Sequence, residues 1–165
     1  MRSERPQPEE VLAANERFAR AFPYGALARE PARGVAVLTC MDARIEPLRA
    51  LGLEVGDAAV LRNAGAVVTE DVMRSLAVAS ALLGVRGLLV VGHTRCGLEG
   101  LEREELAARL GAAGRALDPL AFADVTESVR AGVARVRSSP LLAGRLEAAG
   151  FVYEVETGRL RHVVG

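Results

Sequence analysis

The sequence predicts a single α/β domain, spanning residues 1–165, with a central and mostly parallel sheet flanked by helices. Its 165 residues fit one domain that can bury a sizeable core. Half of the residues are apolar and a quarter are charged, as in ordinary globular proteins. Short apolar runs typical of buried strands alternate with segments of helical periodicity, which favours parallel strands joined by helices.

An amphipathic helix is the first predicted element, over residues 8–21. Val11, Leu12 and Phe18 lie near one face of this helix. Pro8 and the two glutamates that follow it are favourable residues for a first helical turn.

Three buried strands are predicted over residues 34–39, 58–63 and 87–92, because each is a short apolar run. Between the second and third strands, a helix capped by Thr69 is expected to end near Gly84.

That helix is apolar on nearly all sides between residues 72 and 83. A domain of this size can hardly cover such a helix all round, so a second copy of the chain is its simplest partner. We therefore expect a homodimer or a higher homo-oligomer.

The C-terminal part is predicted to contain two helical segments and a hairpin. Residues 99–117 are helical in composition but interrupted by glycines, and residues 126–140 carry valines at helical spacing. Alternating runs on both sides of Thr157 and Gly158 predict a β-hairpin over 151–164.

The composition excludes several classes of function. The formal net charge is zero, so no overall field favours nucleic acid or an anionic membrane as partner. All 21 basic residues are arginine, which excludes a Schiff-base lysine and a P-loop lysine.

Cysteine use and the first residues predict a cytoplasmic location. Two widely spaced cysteines do not make a disulfide scaffold, and the N-terminal stretch is charged, without an apolar signal core. No stretch reaches the ~18 apolar residues that a membrane span needs.

Cysteine and histidine side chains follow two of the predicted strands. Cys40 comes directly after strand 34–39, and His93 and Cys96 follow strand 87–92. If these strands are parallel neighbours, their carboxyl ends lie about 5 Å apart, at the edge where open sheets bind ligands. Two thiolates and one imidazole are a zinc ligand set. Two buried free cysteines beside a surface histidine are the alternative.

The motif "CMDAR" adds a carboxylate and a guanidinium group to the same loop. Asp42 follows Cys40 by two residues, and Arg44 follows Asp42 by two. A carboxylate beside a zinc ion can accept a hydrogen bond from the metal's water or displace that water, and an arginine would hold it ionised. An ordinary surface ion pair is the alternative.

C-x-D-x-R after one strand and H-x-x-C after another resemble the β-class carbonic anhydrases. Further segments look like the smaller prokaryotic branch of that family, and together the similar segments cover about residues 10–163: "VLRNAGAVVTEDVMRSLAVASALLG" (60–84), "SVRAGVARVRSSPLL" (128–142) and "GFVYEVETGRL" (150–160).

This resemblance implies one zinc ion per chain, held by Cys40, His93 and Cys96, with Asp42 and Arg44 as the catalytic pair. It implies reversible hydration of carbon dioxide to bicarbonate and a proton, in which zinc acidifies a water molecule to a hydroxide nucleophile. Asp42 is a possible fourth zinc ligand in a closed state. The implied fold has four parallel strands plus a C-terminal antiparallel strand, and dimerises through its helices.

The sequence departs from the family pattern near the metal ligands. Gly92 stands where close relatives often have histidine, and Arg95 where they often have aspartate. Arg62 is expected to hold bicarbonate or the subunit interface, with a purely structural arginine as the alternative, and Gly97 to lie at the anion site.

Two other functions keep the same metal ligands. A carbonyl sulfide or carbon disulfide hydrolase would differ only in the shape of its pocket. A non-catalytic zinc protein would keep Asp42 closed over the metal. A thiol-redox protein is disfavoured because the chain contains no C-x-x-C motif.

Overall fold

A five-stranded sheet with the order β2-β1-β3-β4-β5 organises the protein. The computed structural model describes residues 5–165. The first four strands are parallel and β5 is antiparallel to β4, so the predicted fold class is confirmed. The strands are β1 (Val35–Cys40), β2 (Ala58–Asn63), β3 (Gly87–His93), β4 (Glu147–Tyr153) and β5 (Leu160–Val164).

Within residues 5–165, five α-helices connect or flank these strands: α1 (Pro8–Arg20), α2 (Pro47–Ala50), α3 (Glu70–Leu82), α4 (Arg103–Leu110) and α5 (Val125–Ser138). The predicted cap of α3 is present, because the Thr69 hydroxyl accepts a hydrogen bond from the Val72 amide at 3.3 Å. The helical segment predicted over 99–117 is shorter in the structure. It stops at Gly111, whose φ of 72° cannot continue a helix.

One face of the sheet packs against α3 and α5, whose apolar side chains form the main core with those of β1, β3 and β4. The packing against α5 is close at Gly92, where a Cβ atom would lie 2.7 Å from Val125 and 2.8 Å from Val129. Any larger side chain there would push α5 off the sheet. The glycine that replaces the family's frequent histidine is therefore a packing requirement.

The hairpin predicted over 151–164 is present, but its first strand starts at Glu147. Ala148, Ala149 and Gly150 have little intrinsic preference for strands. Gly150 is nevertheless required, because a Cβ atom there would lie 2.5 Å from Val129 on α5. The start of this strand is set by the pairing of Glu147 with Gly87 of β3, which the local sequence does not reveal.

Two helices expose apolar surface. Helix α1 buries none of its residues, and Leu12 and Phe18 are more than half exposed. Helix α3 buries four residues but exposes Val78 and Leu82. Within residues 5–165, helix α1 is therefore not covered on its apolar face, and helix α3 is covered only on the side that faces the sheet. None of the helices in residues 5–165 has the length and apolar character required to cross a membrane.

Candidate metal centre and catalytic pair

Two loops at the carboxyl edge of the sheet contain the predicted site residues. The β1 loop (residues 40–46) and the β3 loop (residues 93–98) start side by side, because Thr39 pairs with Val91 in neighbouring parallel strands. This is the edge at which open α/β sheets bind ligands.

The structure brings the three predicted ligands together. Cys40, His93 and Cys96 are buried, and each offers one ligand atom such that all three atoms lie within 4.8 Å of one another. A tetrahedral zinc ion with bonds of about 2.0–2.3 Å needs ligand atoms ~3.5 Å apart, which small side-chain adjustments reach from this spacing. Two sulfur atoms and one nitrogen atom, with a fourth position left over, are the donor set of a catalytic zinc site.

The ring of His93 is oriented for metal binding. Its Nδ1 lies 2.9 Å from the carbonyl oxygen of Thr94, so Nδ1 carries the hydrogen and Nε2 presents its lone pair. Within residues 5–165, Nε2 is the one buried side-chain nitrogen or oxygen atom without a hydrogen-bond partner. An unsatisfied buried polar atom costs about 1–3 kcal/mol. A metal ion bound to Nε2 would remove that cost.

The two cysteines also suit a cation. Burial, followed by the proximity of Cys40, raises the pKa of the Cys96 thiol, although a backbone hydrogen bond from Leu98 opposes this. The sulfur of Cys40 accepts a hydrogen bond from the Gly65 amide at 3.3 Å. A divalent cation between the two sulfurs favours their thiolate forms and replaces the lost solvation.

Asp42 and Arg44 form a two-pronged ion pair beside the ligands. Arg44 donates from Nε to Oδ1 at 2.9 Å and from Nη2 to Oδ2 at 2.7 Å, and its own amide also donates to Oδ1. These hydrogen bonds hold the pKa of the Asp42 carboxyl well below its usual range. Oδ2 lies 3.9 Å from Nε2 of His93. An ionised and oriented carboxylate therefore lies next to the metal ligands.

Arg44 also joins the two loops, because its Nη2 donates to the carbonyl oxygen of Arg95 at 3.2 Å. Arg95 has a φ of 53°, a left-handed conformation that turns this carbonyl toward Arg44. The Arg95 side chain is largely exposed and pairs with Glu156. Arg95 thus contacts the predicted catalytic pair through its backbone, a contact that its side-chain chemistry could not reveal.

Arg62 holds the β1 loop from behind. Its guanidinium donates to three backbone carbonyl oxygens, those of Cys40 at 2.9 Å, Asp42 at 2.7 Å and Ile45 at 3.3 Å. The sequence placed Arg62 near this edge but did not reveal these contacts. Gly97 is exposed on the β3 loop, with open space where a side chain would be.

Comparisons with known proteins find similar sequences and similar folds. The sequence profile of the family described as carbonic anhydrase matches residues 35–121. β-carbonic anhydrase 1 of Mycobacterium tuberculosis is 35 % identical over 158 residues, covering 94 % of this chain and 96 % of that protein. The crystal structure of carbonic anhydrase from Streptococcus mutans has a TM-score of 0.87 at 38 % identity, covering 94 % of this chain and 96 % of that one.

A carbon disulfide hydrolase from Acidianus is also similar, at 34 % identity over 152 residues, which cover 76 % of this chain and 74 % of that protein. The fold, the sequence profile and the near full-length similarity all point to one group of enzymes. This chain belongs to the β-carbonic anhydrase family.

Proposed function

We propose that this protein catalyses the reversible hydration of carbon dioxide to bicarbonate and a proton, with one zinc ion per chain held by Cys40, His93 and Cys96. The observation that carries the proposal is the ionised Asp42 carboxylate, fixed by Arg44 with its Oδ2 3.9 Å from His93 Nε2. A metal site alone would bind zinc, whereas a carboxylate held beside it can also orient a water molecule.

Zinc, when bound, supplies a Lewis acid that acidifies a water molecule near neutral pH. With zinc bound, Asp42 would accept a hydrogen bond from that water at Oδ2 and orient it toward carbon dioxide. Arg44 keeps the carboxylate ionised and holds it in one orientation through two side-chain hydrogen bonds. The Thr94 carbonyl fixes the tautomer of His93. Gly97 is proposed to lie at the anion site. Arg62 is proposed to hold bicarbonate or the subunit interface, but its three hydrogen bonds to carbonyl oxygens of the β1 loop favour the structural alternative.

A carbon disulfide or carbonyl sulfide hydrolase would use the same ligands. Carbon dioxide is favoured because the mycobacterial β-carbonic anhydrase 1 matches this chain along nearly its whole length, whereas the Acidianus hydrolase matches about three quarters of it. A non-catalytic zinc protein with Asp42 bound to the metal is the other alternative. The bidentate pairing of Asp42 with Arg44 opposes that closed state.

The test measures zinc content and stopped-flow hydration of carbon dioxide on the same sample at mildly alkaline pH, alongside hydrolysis of carbonyl sulfide and carbon disulfide. Asp42→Asn should keep zinc and lose about 10²-fold in rate, because the amide no longer orients water as a carboxylate does. Asp71→Asn is the matched control, since Asp71 forms an exposed ion pair with Arg74 at 2.8 Å, on α3. A zinc-loaded protein that hydrates carbon dioxide no faster than buffer would refute the proposal.

The same proposal includes a homodimer or higher homo-oligomer in the cytoplasm, where thiols stay reduced. The exposed apolar faces of α1 and α3 are the proposed interface. Leu82→Glu should then dissociate the assembly in analytical ultracentrifugation. Leu141→Glu is the control. Leu141 is 64 % exposed and Leu82 66 %, but Leu141 lies outside both helices, so this variant should keep the assembly of the parent. If both variants sedimented like the parent, the proposal that α3 forms part of the interface would be wrong.

A further inference from the structure

A cleft with a volume of about 920 Å³ lies at the amino end of the parallel strands, opposite the edge that contains the candidate metal centre. Four arginines line it, namely Arg33, Arg86, Arg137 and Arg145, whereas the acidic groups that line it are the Glu147 side chain and the terminal carboxylate of Gly165. The protein as a whole has zero formal net charge. This cleft therefore concentrates positive charge that the overall composition does not show.

The sheet itself assembles the cluster. Val35, Gly87 and Glu147 pair with one another across β1, β3 and β4, so these three strands start side by side. Arg33, Arg86 and Arg145 each come one or two residues before one of these starts. Three neighbouring strands thus each bring one arginine to the same edge, and Arg137 joins them from the last turn of α5.

The guanidinium groups of these four arginines have N–H donors that no carboxylate of the described residues occupies. Among the described residues, none of the four forms an ion pair with a carboxylate, in contrast to Arg29, Arg44, Arg74, Arg95, Arg109, Arg130 and Arg135.

Two of the four guanidinium groups are held in place by backbone carbonyls. Arg137 donates from Nη2 to the Ala148 carbonyl at 2.6 Å, and Arg86 donates from Nη1 to the Gly84 carbonyl at 3.3 Å. Arg86 also lies directly over Gly34, where a Cβ atom would be 3.3 Å from its Nη2. The cluster is therefore partly preorganised, which lowers the entropy lost when a ligand binds.

We propose that this cleft binds a small anion with a chain of phosphate groups. The planar guanidinium fork matches the oxygen atoms of phosphate in two-pronged geometry. Four arginines outnumber the two carboxylates of Glu147 and Gly165, and this excess of positive charge suits a ligand with several negative charges rather than a monoanion such as bicarbonate. The volume lies within the range of about 300–1,000 Å³ typical of small-molecule sites, which exceeds the needs of one phosphate.

The test titrates inorganic tripolyphosphate and ATP, without magnesium, into the zinc-loaded protein at about 0.15 M ionic strength, followed by calorimetry. The double variant Arg33→Gln/Arg145→Gln should bind at least about tenfold more weakly, since it loses two charge-assisted donors. Neither side chain makes a hydrogen bond within the described residues, so the fold should persist. Tighter binding of ATP than of tripolyphosphate would identify a nucleotide; equal binding would identify the phosphate chain alone.

The matched control is Arg17→Gln/Arg49→Gln, which removes the same charge from exposed positions outside the cleft. It should bind like the parent. An NMR titration of the parent gives an independent readout, in which the amide signals of Gly34, Gly87 and Gly144 should shift. Absence of saturable binding, an equal loss in the control, or shifts confined to the β1 and β3 loops would each overturn the proposal.

Discussion

The β1 loop and the β3 loop meet at the metal centre but are held in different ways. Arg62 binds three carbonyl oxygens of the β1 loop, and the Gly65 amide donates to the sulfur of Cys40. Every one of these donors comes from β2 or from the turn directly after it. The β1 loop is thus fixed from one side by charge-assisted and backbone hydrogen bonds.

The β3 loop is fixed from the other side, by the hairpin of β4 and β5. The Thr94 amide donates to the Tyr153 carbonyl at 2.9 Å, and the Val155 amide donates to the Thr94 hydroxyl at 3.2 Å. Glu156 pairs with the Arg95 side chain at the surface. These contacts are weaker in kind, since most are neutral or solvent-exposed.

This difference matches the roles proposed for the two loops. The β3 loop contains two of the proposed metal ligands, His93 and Cys96, at and just after the end of its strand. The β1 loop contains one proposed ligand and the proposed catalytic pair, Asp42 and Arg44, whose direction must be fixed. Arg44 connects the two loops by its hydrogen bond to the Arg95 carbonyl.

Removing a thiolate from either loop should have the largest effect. Cys96→Ala and Cys40→Ala should both lose zinc and all carbon dioxide hydration, since two remaining ligands bind zinc poorly. Zinc content by atomic emission, together with stopped-flow rates, checks this. A fully zinc-loaded and active Cys96→Ala protein would contradict the ligand assignment.

The stabilities of the same two variants, measured after a chelator has removed all zinc, show whether the two loops are supported differently. Cys40 and Cys96 are almost equally buried, at 5 % and 7 % exposure. The Cys96 sulfur receives a backbone hydrogen bond from Leu98 in its own loop, whereas the Cys40 sulfur accepts the Gly65 amide at 3.3 Å from the turn after β2. Because only the Cys40 contact joins two separate parts of the chain, its removal should cost about 1 kcal/mol more in free energy of unfolding. Equal denaturation midpoints would mean that this hydrogen bond does not support the β1 loop.

Cutting the connection between the loops should have the next largest effect. Arg44→Ala leaves Asp42 without its two-pronged partner, so the carboxylate can turn toward the metal. We expect zinc to be retained and kcat/KM to fall by about 10²-fold or more. Arg44→Lys keeps the positive charge but offers a single ammonium group, so its kcat/KM should lie between those of the parent and Arg44→Ala. Parent-like rates for Arg44→Ala would show that Asp42 needs no partner.

Releasing the β1 loop from Arg62 should have a moderate effect. Arg62→Met removes three hydrogen bonds to backbone carbonyls, and we expect about a tenfold lower kcat and a loss of about 1–3 kcal/mol in free energy of unfolding. Arg62→Lys decides how Arg62 acts. One ammonium group cannot reach all three carbonyls, so a structural role predicts impairment close to that of Arg62→Met. Full rescue by lysine would instead favour attraction of the bicarbonate anion by charge.

The sequence predicted the strands, the main helices and the ligand set because each depends on local pattern. Apolar runs mark β1 and β3, and cysteine and histidine directly after such runs must come together at one edge. The role of Arg62 could not be predicted in the same way. Its partners are backbone carbonyls 17 to 22 residues earlier in the chain, and carbonyl groups leave no trace in a sequence.

Gly92 and Arg95 illustrate the same limit. Each departs from the family pattern, and the sequence alone suggests a change in the chemistry of the site. The structure gives packing against Val125 and Val129 as the reason for Gly92. It shows that Arg95 contacts Arg44 through a carbonyl oxygen. Tertiary contacts decide both positions, so a substitution near a metal ligand need not alter the reaction.

The smallest effect is expected from Arg95→Asn, which tests that last point. Asparagine tolerates the left-handed conformation at a φ of 53°, so the carbonyl should still accept the hydrogen bond from Arg44. The ion pair with Glu156 is lost, but the Arg95 side chain is 74 % exposed, and such pairs contribute little. We therefore expect kcat/KM within about twofold of the parent and a stability change below about 0.5 kcal/mol. Arg95→Val is the sharper partner variant, because a β-branched residue resists this conformation and should move the carbonyl away from Arg44. If Arg95→Asn lost as much activity as Arg44→Ala, the side chain rather than the carbonyl would connect the β3 loop to the catalytic pair.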